Sequence, residues 1–187
     1  VLGVGRLAKQ KNFELLVDAF AIARRDRPLH LAIIGGGPDG AREKVAERAA
    51  AHGLADDVWL PGQVANPFPF YRNADLFVLA SRWEGMSNAL LEAMACGCRA
   101  VAVTSAVGSA EILDHGRYGP LVRAEPEALA GAMLASLADG VPAEALLARA
   151  REFDLAKSLD LYVDLLKMHA ERRSCANDRR DAVSGSM

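Results

Sequence analysis

The sequence predicts an α/β fold: a parallel sheet of about six strands with helices on both faces. Two observations carry the prediction. Short apolar runs with the length and composition of buried strands are each ended by glycine or a polar turn. Between them lie stretches whose apolar residues recur three and four apart, the spacing of one helix face. Strands that alternate with helices in this way pair in parallel, and the helices cover both sides of the sheet.

Val1–Val4 reads as the first strand, ended by Gly5-Arg6 and the polar turn Lys9-Gln10-Lys11-Asn12. Asn12 is placed to cap a helix in which Phe13, Leu16, Val17, Phe20 and Ala21 share a face. Leu29–Ile34 is the second strand and runs straight into Gly35-Gly36-Gly37-Pro38. A helix from about Ala41 to His52 is stopped by Gly53, and Val58–Leu60 is the third strand, with Pro61-Gly62 as its turn. Asn66-Pro67 starts a short helical piece that ends near Asn73. Leu76–Leu79 is the fourth strand, followed by the polar turn Ser81–Asn88 and a helix over Ala89–Cys96 that Gly97 stops.

Ala100–Val103 forms the fifth strand, and Ser109–His115 a short helix closed by Gly116. Tyr118–Val122 is a weaker sixth strand, and Pro126 sits in the first turn of the next helix. Two more helices are expected over Ala143–Ala150 and Leu155–Ala170. The last carries Leu155, Leu159, Tyr162, Val163, Leu166 and Met168 on one side. From Glu171 the segment ERRSCANDRRDAVSGSM has little to bury and reads as a disordered tail, which leaves a domain over residues 1–170. Nothing repeats at a fixed period, and the whole pattern is Rossmann-like.

Composition narrows the function. With 187 residues, 51% hydrophobic and 25% charged, the chain has the balance of one soluble globular domain. A net charge of −2 offers no basic surface for nucleic acid. No apolar run approaches the roughly 20 residues that cross a bilayer, and no signal-peptide pattern opens the chain. A cytoplasmic location is expected, at most peripheral at the inner face of the membrane. Cys96, Cys98 and Cys175 fit reduced thiols, with Cys96 and Cys98 read as small buried apolar residues rather than metal ligands. His30, His52, His115 and His169 show no partner spacing. The chain starts inside a strand without an initiator Met, which reads as a fragment of a longer protein.

Candidate site residues gather at the expected carboxyl ends of the strands, where open α/β sheets bind ligands. Gly3-Val4-Gly5-Arg6-Leu7-Ala8 has the form G-x-G-x-x-G/A, but the strand overlaps its glycines. The second strand ends in glycines instead of the acidic residue that holds a ribose, so no nicotinamide or flavin is expected. Arg6 and Lys11 flank the first turn, and with Asn12 at a helix start they form either a diphosphate clamp or ordinary surface charges. Gly35–Gly37 let the backbone approach a flat ligand closely, or simply turn the chain.

Glu84 and Glu92 are spaced E-x7-E. Two carboxylates could serve as a glycosidase acid and base, roughly 5–9.5 Å apart across a scissile bond. The local context points elsewhere. With Ser87 or Asn88 as cap, the first helical N–H groups attract phosphate. Glu92, early in that helix, can accept two hydrogen bonds from a vicinal diol such as ribose O2′ and O3′. Glu84, before the helix, can accept from sugar hydroxyls beyond the phosphates. The bland alternatives are a capping contact for Glu92 and an exposed loop charge for Glu84.

Taken together these segments resemble the retaining glycosyltransferases of family 4, which have the GT-B architecture of two Rossmann-like domains. The resemblance rests on GRLAKQKNFELL at Gly5–Leu16, IIGGGPD at Ile33–Asp39 and WLPGQVANPFPFYRNADLFVLASRWEGMSNALLEAMACG at Trp59–Gly97. EIL at Glu111–Leu113 and GRYGPLV at Gly116–Val122 extend it, so it covers nearly all of residues 1–170. The wording is most similar to the branch that builds bacterial capsule, O-antigen and glycoprotein oligosaccharides, often from UDP-GalNAc or related UDP-hexoses.

The resemblance implies the second, donor-binding half of such an enzyme, the first half being the acceptor domain. By its pattern Arg6 and Lys11 hold the donor diphosphate, with Ser87 and Asn88 beside it. Glu84 binds the hexose hydroxyls at the point of reaction, next to Gly85 and Met86. Glu92 binds the ribose with Leu91 packed nearby, while Gly36, Gly37 and the loop after Leu60, at Pro61, receive the base. No metal is implied, because the cations and the helix terminus stabilise the leaving diphosphate.

Two departures stand out. Met86-Ser87 replaces a frequent Phe-Pro, and Ser105–Ser109 lacks a frequent Pro, which leaves the sugar open while keeping the nucleotide site. The expected activity is transfer of a hexose or N-acetylhexosamine from a UDP-sugar to a lipid-linked or growing surface glycan. The domain by itself would bind nucleotide without transferring sugar. A sugar-nucleotide epimerase of the same architecture and a non-catalytic nucleotide-binding module are the alternatives.

Overall fold

The computed structural model describes residues 1–155, 157, 159 and 161–169; the tail expected over 171–187 lies outside them. Residues 1–150 form one compact unit, and the described residues from 151 onward belong to a second. In the first unit the chain runs β1 (Leu2–Val4), α1 (Phe13–Asp26), β2 (Leu31–Ile34), α2 (Ala41–Ala51), β3 (Val58–Gly62), α3 (Phe68–Asn73) and β4 (Leu76–Leu79). It continues through α4 (Asn88–Ala95), β5 (Arg99–Val103), α5 (Gly108–Ile112), β6 (Leu121–Val122), α6 (Pro126–Ala138) and α7 (Ala143–Ala150).

All six strands are parallel, in the order β3-β2-β1-β4-β5-β6. From β1 the chain steps outward through β2 to β3, then returns to the other side of β1 and steps outward again through β4, β5 and β6. The central strands β1 and β4 pair Leu2 with Phe77, and the turns that leave them diverge. That reversal opens a crevice at their carboxyl ends, where ligands bind in sheets of this kind.

Side-chain alternation assigns the two faces. Leu76 and Val78 of β4, with Val101 and Val103 of β5, join Leu31, Ile33, Leu16, Val17, Phe20, Leu129 and Met133 in the core under α1, α2 and α6. The opposite residues Phe77, Leu79, Ala100 and Ala102 are equally buried, on the side where Tyr71, Leu90, Met94, Ile112 and Leu146 come from α3, α4, α5 and α7. A strand buried on both sides has to be apolar throughout, which is why Leu76–Ala80 is an unbroken run. Each such Leu or Phe contributes about 1.5–3 kcal/mol on leaving water.

Several element ends differ from those expected. Asn12 occupies the cap position of α1 with left-handed backbone (φ 54°), and its side chain makes no capping hydrogen bond. Pro61 and Gly62 belong to β3 rather than to a turn after it, because Gly35 N–H donates to the Gly62 carbonyl at 2.9 Å and prolongs the pairing. The fifth helix starts at Gly108 and stops at Ile112; a separate 3-10 turn over Asp114–Gly116 follows, with Asp114 and His115 at φ 47° and 52°. Only Leu121–Val122 of the sixth strand pairs, with Ala102 and Val103 as partners. In the second unit residues 161–169 are helical, and Leu155, Leu159, Tyr162, Val163, Leu166 and Met168 are exposed.

One polar cluster ties α1 to α2. Arg48 donates from Nε and Nη2 to the two carboxylate oxygens of Asp18 at 2.6 and 2.7 Å, and His52 Nε2 lies 2.9 Å from Oδ1. Burial works against the charged carboxylate, but the hydrogen bonds and charges of Arg48 and His52 outweigh it and hold Asp18 below its usual range. A depressed carboxylate contributes stability above its unfolded pKa, near 3.9, and loses it as pH falls through the folded value. Asp18→Asn should therefore lower stability by about 1 kcal/mol at pH 7. In urea titrations the difference from the parent should close below about pH 4; a gap constant with pH would show that charge is not its source.

Candidate functional site

The turns at the carboxyl ends of β1, β2 and β3 are joined by their backbones. Gly5 N–H donates to the Ile34 carbonyl at 2.9 Å, Leu7 N–H to Gly36 at 2.7 Å, and Gly35 N–H to Gly62 at 2.9 Å. Gly35 has φ 152°, and a Cβ there would overlap the Gly5 carbonyl, so only glycine permits the approach. In front of these turns opens a cavity of about 570 Å3 lined by Arg6, Gly36, Gly37, Gln63, Val64 and Pro67. Its size suits a small organic ligand. A groove of about 600 Å3 lies at the opposite edge, by the amino ends of the strands, with Trp59 and Phe70 in its wall. It is remote from the crevice.

Across the crevice the turn after β1 meets the turn after β4. Lys11 Nζ lies 2.7 Å from Glu84 Oε2, and the two side chains are 16% and 13% exposed, so water screens the pair only weakly. Gln10 Nε2 donates to the Trp83 carbonyl at 3.1 Å, and Arg82 N–H donates back to the Gln10 carbonyl at 2.8 Å. The far side of the same turn is also held. Ser105 Oγ donates to the Ser81 carbonyl at 2.9 Å, and Gly108 N–H to Glu84 at 3.3 Å. A Cβ at Gly108 would overlap the Gly85 carbonyl, so α5 can press against the Gly85–Met86 peptide only with glycine at its start.

Helix α4 begins with a side-chain cap: Ser87, buried, accepts from Leu90 N–H at 3.4 Å. Asn88 is the first residue of the helix and is exposed, Leu91 is half-buried, and Gly85 and Met86 are exposed in the turn before it. Glu92 lies one turn into α4, half-buried, where the Tyr71 hydroxyl donates to its Oε2 at 3.0 Å. Burial, then the Glu92 charge, push the Tyr71 phenol far above its ordinary range, which keeps the proton on the tyrosine.

The structure brings the sequence-derived residues together in three groups. Arg6, Gly36 and Gly37 line the cavity; Lys11 and Glu84 pair across the crevice; Ser87 caps the helix that carries Glu92. Pro61 is the exception in placement. It lies inside β3, and the cavity wall beyond the third strand is formed by Gln63, Val64 and Pro67 instead. Gln63 and Val64 belong to the loop expected after Leu60, whereas Tyr71 is an addition to the sequence-derived residues. Tyr71 had a signal: a tyrosine in a short helix beside a wholly apolar strand needs a partner for its hydroxyl if it is buried.

Among the described residues no group of three His, Cys, Asp or Glu could hold a metal ion. Burial pushes the Cys98 thiol up to about 12, so it stays a protonated core side chain. Among the same residues no single helix is long and apolar enough to cross a membrane.

Residues 1–139 match the family model described as glycosyl transferases group 1. The chain belongs to that family. This glycosyl transferases group 1 domain is 34% identical over 127 residues to the N-acetylgalactosamine-N,N'-diacetylbacillosaminyl-diphospho-undecaprenol 4-alpha-N-acetylgalactosaminyltransferase of Campylobacter jejuni, covering 68% of this chain and 34% of that protein. It is 39% identical over 127 residues to the mannosylfructose-phosphate synthase of Agrobacterium fabrum, covering 63% and 28%. Among solved structures it is similar to Anabaena HepE in complex with UDP, with a TM-score of 0.80 at 24% identity over 89% of this chain and 48% of that one. The pneumococcal O-GlcNAc transferase GtfA in complex with UDP and GlcNAc gives 0.78 at 22%, covering 89% and 35%. These likenesses establish the Rossmann-like sheet of a GT-B half. The group 1 domain spans about a third of the length of the curated relatives it matches.

The crevice pair is measurable. Lys11→Met and Glu84→Gln in a double-mutant cycle, read by urea unfolding, should show a coupling of about 1 kcal/mol, within the usual range for contacting residues. Strict additivity would mean that the two side chains do not hold the turns together.

Proposed function

We propose that the chain is the donor-binding half of a retaining glycosyltransferase that moves a hexose or N-acetylhexosamine from a UDP-sugar to a lipid-linked or growing surface glycan. The observation that carries this reading is the Lys11–Glu84 pair between the turns after β1 and β4, the two strands at the reversal; Arg6 on the first turn, and the Ser87-capped helix of Glu92 after the second, support it. The diphosphate takes the place between Arg6, Lys11 and the first N–H groups of α4, beside Ser87 and Asn88, where the helix dipole favours negative charge. The base and part of the ribose take the cavity beside Gly36 and Gly37, and Glu92 accepts from the ribose diol. Glu84 then faces the transferred sugar with Gly85 and Met86, exchanging its contact with Lys11 for sugar hydroxyls.

The chemistry asked of these groups is electrostatic. Charge grows on the departing diphosphate as the glycosidic bond breaks, and donors already aimed there stabilise it with little reorganisation. That requires no metal. Retention is supported by the names of two relatives, which specify alpha linkages; an α-linked product from an α-linked nucleotide sugar keeps its configuration. In this reading Glu84 binds sugar hydroxyls rather than forming a covalent intermediate, and the acceptor attacks on the face the diphosphate leaves. UDP is supported by its presence with the structural neighbours, and a surface-glycan acceptor by relatives named for undecaprenol-linked and lipopolysaccharide products. The acceptor would be held by a separate amino-terminal domain, at or near the cytoplasmic face of the membrane.

Calorimetric titration of the 187-residue chain with UDP, GDP and ADP tests the reading. UDP should bind best, and Glu92→Ala should weaken it by roughly 1.5–3 kcal/mol, the loss expected for hydrogen bonds to a charged group. Unchanged affinity would reduce Glu92 to a structural role and overturn the ribose assignment.

A further inference from the structure

We propose that Tyr71 is a positioning residue for Glu92: its hydroxyl holds one carboxylate oxygen so that the other is presented to the ribose diol, making the site selective for ribonucleotides over 2′-deoxyribonucleotides. This rests on the donor-binding reading above and assigns a task to a side chain outside the E-x7-E pair.

Tyr71 is a fixed lever. It is fully buried, and its ring packs edge-on against Phe77 of β4 (centroids 5.9 Å apart, 64° between planes) and Phe68 of its own helix (6.2 Å, 62°). Such packing leaves the phenol oxygen one place to be, and there it donates to Glu92 Oε2 at 3.0 Å. The bond is charge-assisted and shielded on the tyrosine side, which makes it stronger than an exposed neutral one. The direction of the Tyr71 titration agrees, since the phenol keeps its proton and can only donate to a carboxylate.

The carboxylate gains a defined orientation. Free of this bond, a half-buried glutamate samples several rotamers and must be ordered by the ligand itself. With Oε2 engaged, the plane of the group is set and Oε1 remains to accept from a diol. The same helix supplies the link to the cavity. Pro67, at the start of α3, lines the cavity, and Tyr71 follows one turn later, so the wall beside the nucleoside and the tether of Glu92 are one rigid element. A diol held by an oriented acceptor discriminates against a ligand that lacks one hydroxyl, because the acceptor is then left underused in a partly dry site.

Titration of the parent chain and Tyr71→Phe with UDP and 2′-deoxy-UDP decides the matter, with near-ultraviolet circular dichroism as the folding control. The parent should prefer UDP about tenfold or more, as for one charged hydrogen bond. Tyr71→Phe should weaken UDP roughly three- to tenfold while leaving 2′-deoxy-UDP nearly unchanged, so that the ratio narrows. A parent without preference would sink the ribose assignment to Glu92 and the proposal with it. A parent that discriminates, beside a variant that keeps the full ratio or weakens both ligands equally, would sink the role of Tyr71 alone. Should Tyr71→Phe fail to fold, 3-fluorotyrosine in the otherwise unaltered chain replaces it. The Tyr71 fluorine resonance should then shift more with UDP than with 2′-deoxy-UDP, and identical shifts would overturn the proposal.

Discussion

Lys11 and Glu84 face each other where the sheet reverses its order, and most of the site is arranged by what that contact requires. A cation from the turn after β1 and a carboxylate from the turn after β4 lie 2.7 Å apart, both mostly shielded. Neither charge is easily left alone there, since a partly buried ion without a partner costs several kcal/mol. The pair therefore holds two divergent turns at a fixed separation. The backbone bonds from Arg82 and Gln10 reinforce it. On the donor-binding reading proposed above, a diphosphate with its sugar would offer both groups replacement partners.

Close backbone approach is the second constraint. The β2 turn can touch the β1 turn only because Gly35 has no side chain, and α5 can brace the Gly85–Met86 peptide only because Gly108 has none. These contacts turn three loops into one surface through backbone groups alone. The glycines and the charges thus divide the work, the first setting shape and the second chemistry.

The opposite wall is organised by a buried hydroxyl. Tyr71 must find a hydrogen-bond partner inside an apolar layer, and Glu92 is the group within reach. Packing against Phe77 fixes the ring, so a core residue anchors one oxygen of a half-buried carboxylate. In this way the folding of the second face and the geometry of the site are one problem.

The sequence by itself determined the order and type of the elements, because burial on both faces forces unbroken apolar runs such as Leu76–Ala80 and helix faces such as Leu16, Val17 and Phe20. It also determined the chemical inventory: Arg6, Lys11, Glu84 and Glu92, and the glycines between them. Element ends were less legible where pairing decides them, as at Pro61-Gly62, which the Gly35 hydrogen bond draws into β3, and at Asn12, where backbone rather than side chain turns the helix. Only the tertiary structure decided which of these groups meet. Lys11 reaches Glu84 across 73 residues of chain, and Tyr71 reaches Glu92 across 21. The physical reason is that local patterning records which face of an element is dry. Partners across a crevice follow instead from the strand order, from the backbone approaches glycine allows, and from the hydrogen bonds that buried polar atoms must complete.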